Sequence, residues 1–188
     1  MNFLPIAELR TQPGLRIVIV QGAPSPWGQA AKAMIEFKGL PYVAGLQIPR
    51  TDNEELVAWA GTNSGPVVAW NEDKPIDSWL DILNLLERLE PKRSLLPTSR
   101  AQRADAIGLA NEICGELGLG WNRRLSLYQP AISGGQAPQA LLNMGGKYGY
   151  HDADVVQIMA RQIAGLELLH NVWRHYNRAV ATISLVMR

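Results

Sequence analysis

Ser25 stands where a β-branched run gives way to an amphipathic helix, and at that junction a single hydroxyl can do chemistry. Upstream, Leu15-Arg16-Ile17-Val18-Ile19-Val20 has the density of β-branched residues of a buried strand, and it ends in turn formers. Downstream, Trp27, Ala30, Ala31, Met34 and Ile35 recur at helical spacing, with Pro26 suited to the first helical position and Gly39 to the stop. Ser25 is then the N-cap. A group there faces unpaired backbone N–H donors and the positive end of the helix dipole, an environment that favours a developing anion. The plainer account is that Ser25 only caps its helix, a role worth about 1 kcal/mol.

The elements around this junction read in a clear order. Tyr42–Ile48 is a second strand, Asp52–Ala60 a short helix and Pro66–Trp70 a third strand. The polar turn Asn71-Glu72-Asp73-Lys74 leads to Pro75-Ile76, short enough to be an edge strand. Ser78 followed by Asp81 makes a capping-box-like start to a helix whose Trp79, Ile82, Leu83 and Leu86 share a face, and Pro91 ends it. The order is β-α-β-α-β-β-α. Residues 90–98, with two prolines and several polar side chains, read as a linker. Beyond it Ser99 and Gln102 form another capping pair, and Ala106, Ala110, Ile113, Cys114 and Leu117 continue an apolar stripe towards glycines at 115, 118 and 120. Residues 129–149, rich in Gly, Pro and Gln, read as a long loop. From about Asp152, Val155, Met159, Ile163, Leu166, Leu169 and Trp173 repeat at helical spacing, predicting a long helix packed on the preceding one.

Composition narrows the function classes. The chain has 188 residues, long enough for a substantial core, with 19% charged residues and a formal net charge of +1. No run of one sign marks a nucleic-acid or anionic-membrane partner. No apolar stretch reaches spanning length, and Glu8 and Arg10 break the order expected of a signal peptide, so the expected location is the cytoplasm. The single Cys114 rules out an internal disulfide, and its place on an apolar face reads as core. His170 and His175 are five residues apart, off the spacing that places two ligands on one helix face, and His151 has no cysteine or carboxylate partner at zinc spacing; no metal is expected. Arg123-Arg124 reads as a solvated face, and Trp27 and Trp79 as core of the first unit.

Taken together, Ser25-Pro26-Trp27-Gly28, Lys38-Gly39-Leu40-Pro41-Tyr42, Gly65-Pro66-Val67-Val68, Asp77-Ser78 and Leu95-Leu96-Pro97 resemble the cytosolic glutathione transferases in order and spacing, across residues 15–97. The resemblance implies an α/β thioredoxin-like domain with a four-stranded mixed sheet, followed by an all-α domain. The expected division is an N-terminal extension at 1–14, a glutathione-binding domain at 15–90, a linker at 91–98 and a helical domain at 99–188. That last domain lacks the family's Ser/Thr-x-x-Asp capping motif and reads as short or incomplete.

The resemblance also assigns roles. Ser25 matches the serine that donates a hydrogen bond to the glutathione sulfur. Pro66 matches the cis-proline that leaves the backbone of Gly65 to pair with the cysteinyl part of glutathione. Asp77 and Ser78, in place of the commoner Glu-Ser, would take the ammonium and carboxylate of its γ-glutamyl group. The function so implied is conjugation of the glutathione thiolate to a small apolar electrophile by a homodimer. The alternative is a non-catalytic module that binds glutathione or a protein. Glutathione-dependent thiol-disulfide exchange ranks last, because it needs a cysteine where Ser25 stands.

Overall fold

The structure is a computed structural model that describes residues 2–22, 25–135, 137–150 and 155–186. Its centre is the β-branched strand β2 (Leu15–Val20), preceded by β1 (Phe3–Leu4) and α1 (Ile6–Leu9). On one side β3 (Tyr42–Gln47) runs parallel to β2, from Leu15↔Tyr42 to Val20↔Gln47. On the other, β4 (Val67–Trp70) runs antiparallel, from Leu15↔Trp70 to Val18↔Val67. β1 adds in parallel to the outer edge of β3, giving a mixed four-stranded sheet in the order β1-β3-β2-β4. Residues 3–4, in the stretch read from sequence as an extension, thus supply a strand. Pro75-Ile76, read as the edge strand, supplies one bridge: Val68 and Ile76 exchange both backbone hydrogen bonds at 2.8 and 2.9 Å. Proline beside it has no N–H with which to extend the ladder.

Alternation along β2 and β4 divides the core. Leu15, Ile17 and Val68 face α2 (Pro26–Lys38) and α4 (Trp79–Leu89), packing against Ala31, Ile35, Ile82, Leu85 and Leu86. Val18 and Val67 point the other way, against Leu9 of α1 and Leu56 of α3 (Glu54–Ala60). Each fully buried Leu or Ile contributes about 1.5–3 kcal/mol relative to exposure. A Cβ at Gly45 would lie 2.7 Å from Leu9 Cδ2, so this glycine is what lets α1 approach β3. Among the described residues Trp70 packs on the larger core, whereas Trp27 and Trp79 are half-buried outside it.

Two cations are buried in this unit. Arg16 donates to the backbone carbonyls of Arg10 and Asn71, and its guanidinium lies 5.5 Å from the Trp59 ring centroid. Lys38, at the end of α2, donates to the Glu90 carbonyl at 2.7 Å and pairs with Glu87 at 2.6 Å. Glu87 also accepts from the Leu95 N–H and the Ser94 hydroxyl, both at 2.7 Å. The stretch read as a linker is therefore held to α4 by one carboxylate, and it begins with a 3-10 turn at Pro91–Arg93.

Residues 1–103 and 104–188 form two compact units. Helix α5 (Arg100–Cys114) is followed by α6 (Leu119–Ser133), α7 (Gln139–Lys147) and α8 (Val155–Val186). Three sequence expectations are corrected here. Leu117, expected on the stripe of α5, lies beyond its end with φ 63° and is exposed. Residues 129–149, expected to be a loop, hold the end of α6 and all of α7. Pro138 starts α7 where no N–H is needed, and a Cβ at Gly145 would meet Ile132 Cδ1 at 2.8 Å, so the glycine serves close packing. Finally, α8 packs on α6 through a different face from the expected one: Ile158 is buried, Gln162 donates to Ser126 Oγ at 2.9 Å and Gly165 abuts Leu119. Met159, Ile163, Leu166 and Trp173 are exposed. Asp152 and His151 lie outside the described residues.

The Glu87 contacts make a testable statement. Burial pushes its carboxyl up, but the Lys38 hydrogen bond, the Leu95 N–H, the Ser94 hydroxyl and the Lys38 charge together hold it below its ordinary value. A depressed folded-state pKa adds stability that is present above the unfolded value and lost as pH falls through the folded one. Glu87→Gln leaves the buried Lys38 ammonium without its counter-charge and should cost about 3 kcal/mol in urea unfolding at neutral pH. The difference between variant and parent should shrink below about pH 4, near the unfolded glutamate pKa.

Candidate active site

Strand directions gather the five candidate residues. β2 ends at Val20 and its chain turns into α2 at Ser25. Because β4 is antiparallel to β2, its start, with Gly65-Pro66 just before it, lies at that same end of the sheet. Ile76 is antiparallel to β4, so Asp77 and Ser78 leave the bridge towards that end too. Three chain segments far apart in sequence thus present their turns together. Two of them open into helices, α2 and α4, whose N-terminal N–H groups are positive.

Ser25 occupies the N-cap of α2 with extended backbone (φ −77°, ψ 129°), and its carbonyl accepts from Gln29 N–H at 2.9 Å. Its side chain makes no capping hydrogen bond, although the residue is only 9% exposed. Pro26 fills the first helical position, where no N–H is needed. Gly28 lies against the same strand end; a Cβ there would sit 3.7 Å from Ile19 Cγ2 and from Ser25 Cβ. At the helix terminus, then, is a hydroxyl that its own helix does not use.

The Gly65–Pro66 peptide bond is cis. Pro66 is buried, and a Cβ at Gly65 would come within 3.2 Å of Val20 Cγ2 and 3.3 Å of Val20 N, so the missing side chain lets this backbone lie close on the end of β2. Ser78 caps α4 and accepts from Asp81 N–H at 3.5 Å, a long bond; Asp77 and Ser78 are both exposed. An exposed carboxylate beside an exposed hydroxyl at a positive helix end can hold both charges of a zwitterion.

The other chemically suggestive residues stay apart. Cys114 is in the second unit, and burial pushes its thiol up, away from the reactive thiolate. His170 and His175 are exposed on α8. Among the described residues no group of three or more His, Cys, Asp or Glu could hold a metal ion, and no helix is long and apolar enough to cross a membrane. Sequence reading missed Gln47 and Asn63, which are hydrogen-bonded to each other beside this sheet end. Three amides at 47, 53 and 63, flanking one short helix, were the available signal.

No family model matches the chain, and no curated protein does either. Solved structures do. A glutathione transferase homologue from Sulfitobacter with bound glutathione superposes with a TM-score of 0.56 at 14% identity, over 84% of this chain and 69% of that one. The Omega 3C glutathione transferase of Trametes versicolor gives 0.57 at 17%, over 88% and 65%. A glutathione S-transferase from Methylobacterium radiotolerans in complex with glutathione sulfonate gives 0.55 at 15%, over 81% and 64%. This chain accordingly spans about two thirds of their length. Its fold is that of the glutathione transferases, a thioredoxin-like unit with a four-stranded mixed sheet, then a helical unit.

The two serine N-caps should respond differently to truncation. Ser78→Ala removes a capping bond and should lower stability in urea unfolding by about 0.5–1 kcal/mol. Ser25→Ala removes none and should cost less than about 0.5 kcal/mol, the low end of measured cap losses.

Proposed function

We propose that the chain binds glutathione at this sheet end and conjugates its thiolate to a small apolar electrophile, with Ser25 stabilising the thiolate. The observation that carries the reading is the Ser25 hydroxyl, held at the start of α2 and not engaged in capping it. The bound glutathione and glutathione sulfonate of two fold neighbours support the choice of ligand. The residues suit it. The α4 N-terminus and Ser78 take the γ-glutamyl carboxylate, Asp77 the ammonium, and the backbone of Gly65 before cis-Pro66 pairs with the cysteinyl part.

A free thiol titrates near 8.5, and bringing it about two pH units lower takes about 2.7 kcal/mol. One hydrogen bond to a charged acceptor contributes about 1.5–3 kcal/mol and a helix dipole about 0.3–1, so the two suffice. The thiol proton goes to solvent. The sulfur lone pair then forms a C–S bond with the electrophile while the displaced electron pair leaves with the departing group, or is protonated after addition. A cytoplasmic homodimer paired through α4 and the start of α5 belongs to the same reading, and sedimentation at micromolar concentration tests it.

Passage over immobilised glutathione, with release by free glutathione, tests binding. Ser25→Ala should keep that binding, lose thiolate ultraviolet absorbance at neutral pH and slow conjugation about tenfold or more. Unchanged absorbance and turnover would sink the role of Ser25. Retention of the parent protein without turnover of any electrophile would leave the non-catalytic binding module as the account.

A further inference from the structure

We infer that Gln47 and Asn63 form a positioning bridge that sets the two arms of the candidate site against each other; this rests on the glutathione-binding reading above. Gln47 is the last residue of β3 and is 7% exposed. Its carbonyl accepts from Gln21 N–H at 2.9 Å, fixing the start of the turn that leads to Ser25. Its side-chain Nε2 donates to Asn63 Oδ1 at 3.1 Å. One residue therefore holds the Ser25 turn through its backbone and the Pro66 loop through its side chain.

Asn63 makes that loop's connections. Between Gly61, which closes α3, and Val67, which opens β4, no described backbone–backbone hydrogen bond involves residues 62–65. Asn63 ties the stretch instead: Oδ1 also accepts from Asn53 Nδ2 at 2.8 Å, and Nδ2 donates to the Thr51 carbonyl at 2.9 Å. Asn53 in turn accepts from Ile48 N–H at 2.9 Å and sits at φ 45°, a left-handed conformation that asparagine tolerates. The loop before cis-Pro66 is thus registered against the end of β3 by side-chain amides, two residues from the Gly65 backbone assigned to glutathione. A misplacement of about 1 Å in a positioning group can cost about a hundredfold in rate.

The experiment compares Asn63→Ala, Gln47→Met and the double variant, with Asn63→Asp as a version that keeps the Oδ1 acceptor. Hydrogen exchange on ligand-free protein should show the Gln21 amide, bonded to the Gln47 carbonyl, and the Ile48 amide, bonded to Asn53 Oδ1, exchanging about tenfold faster in either single variant, with Ile17 and Val18 unchanged. Calorimetric titration with glutathione, well below the melting temperature, should show Kd raised about tenfold in each single variant. The double variant should be no worse than Asn63→Ala alone, because the bridge is lost once. Asn63→Asp keeps the Oδ1 acceptor but loses the Nδ2 donor to the Thr51 carbonyl, so its Kd should lie between those of the parent and Asn63→Ala, and Gln47→Met carries the binding comparison if Asn63→Ala does not fold. Unchanged exchange and unchanged Kd in the single variants, or losses that multiply in the double, overturn the bridge. If the parent does not bind glutathione, the functional reading fails and the exchange pattern alone decides the bridge.

Discussion

The antiparallel register of β4 on β2 is the constraint from which the rest of the first unit follows. Pairing Val18 with Val67 and Leu15 with Trp70 sets the start of β4 beside the end of β2. The Val68–Ile76 bridge then sends the chain back towards that same end before α4 begins. A parallel β4 would place Gly65-Pro66 at the opposite end from Ser25. The same register puts Ile17 and Val68 on one face and Val18 and Val67 on the other, so the pairing that builds the site also builds both cores.

The buried charges belong to the other end of the sheet. Arg16 sits one residue into β2 and is tied to the carbonyl of Asn71, just past β4, while Lys38 closes α2 after the helix has run back along the strand. A buried cation is tolerated only where carbonyls and carboxylates satisfy it, and such partners rigidify whatever they join. Concentrating them at the far end fixes the strands and α2 without placing a competing charge among the turns at the site. Those turns carry positive helix ends, neutral hydroxyls and amides, with exposed carboxylates at Asp77 and, in the first turn of α4, Asp81.

Ser25 and Ser78 show how one local position can be used in two ways. Both are serine N-caps with nearly the same extended backbone, φ −77° and −76°. Ser78 turns its oxygen to Asp81 N–H, whereas Ser25 makes no such bond. Both keep an O–H to donate, but the capping bond fixes the position of the Ser78 oxygen at its own helix, whereas the Ser25 hydroxyl carries no such bond.

Strands 15–20 and 42–47, helix 26–38 with its Ser25 cap and Gly39 stop, and the helix after Ser78 were legible in the sequence, because β-branching, periodicity and capping act over a few residues. The candidates Ser25, Gly65, Pro66, Asp77 and Ser78 rested on short motifs at element ends, read through the family resemblance those motifs carry. What lay out of reach were long-range matters. Phe3–Leu4 forms a strand only because β3 offers an edge, and Gly145 and Pro138 stand in and before a helix only because Ile132 packs close beside one and the other needs no N–H. The face that α8 turns to α6 was set by Ser126 and Leu119, not by the most apolar stripe. Likewise Gln47 and Asn63 are unremarked polar residues along the chain, sixteen positions apart, and only the fold makes them partners. Local chemistry determined the central strands and the helices at 26–38 and 79–89 with their ends; tertiary packing decided which surfaces meet and which weaker segments become elements, since that depends on neighbours no short window of sequence contains.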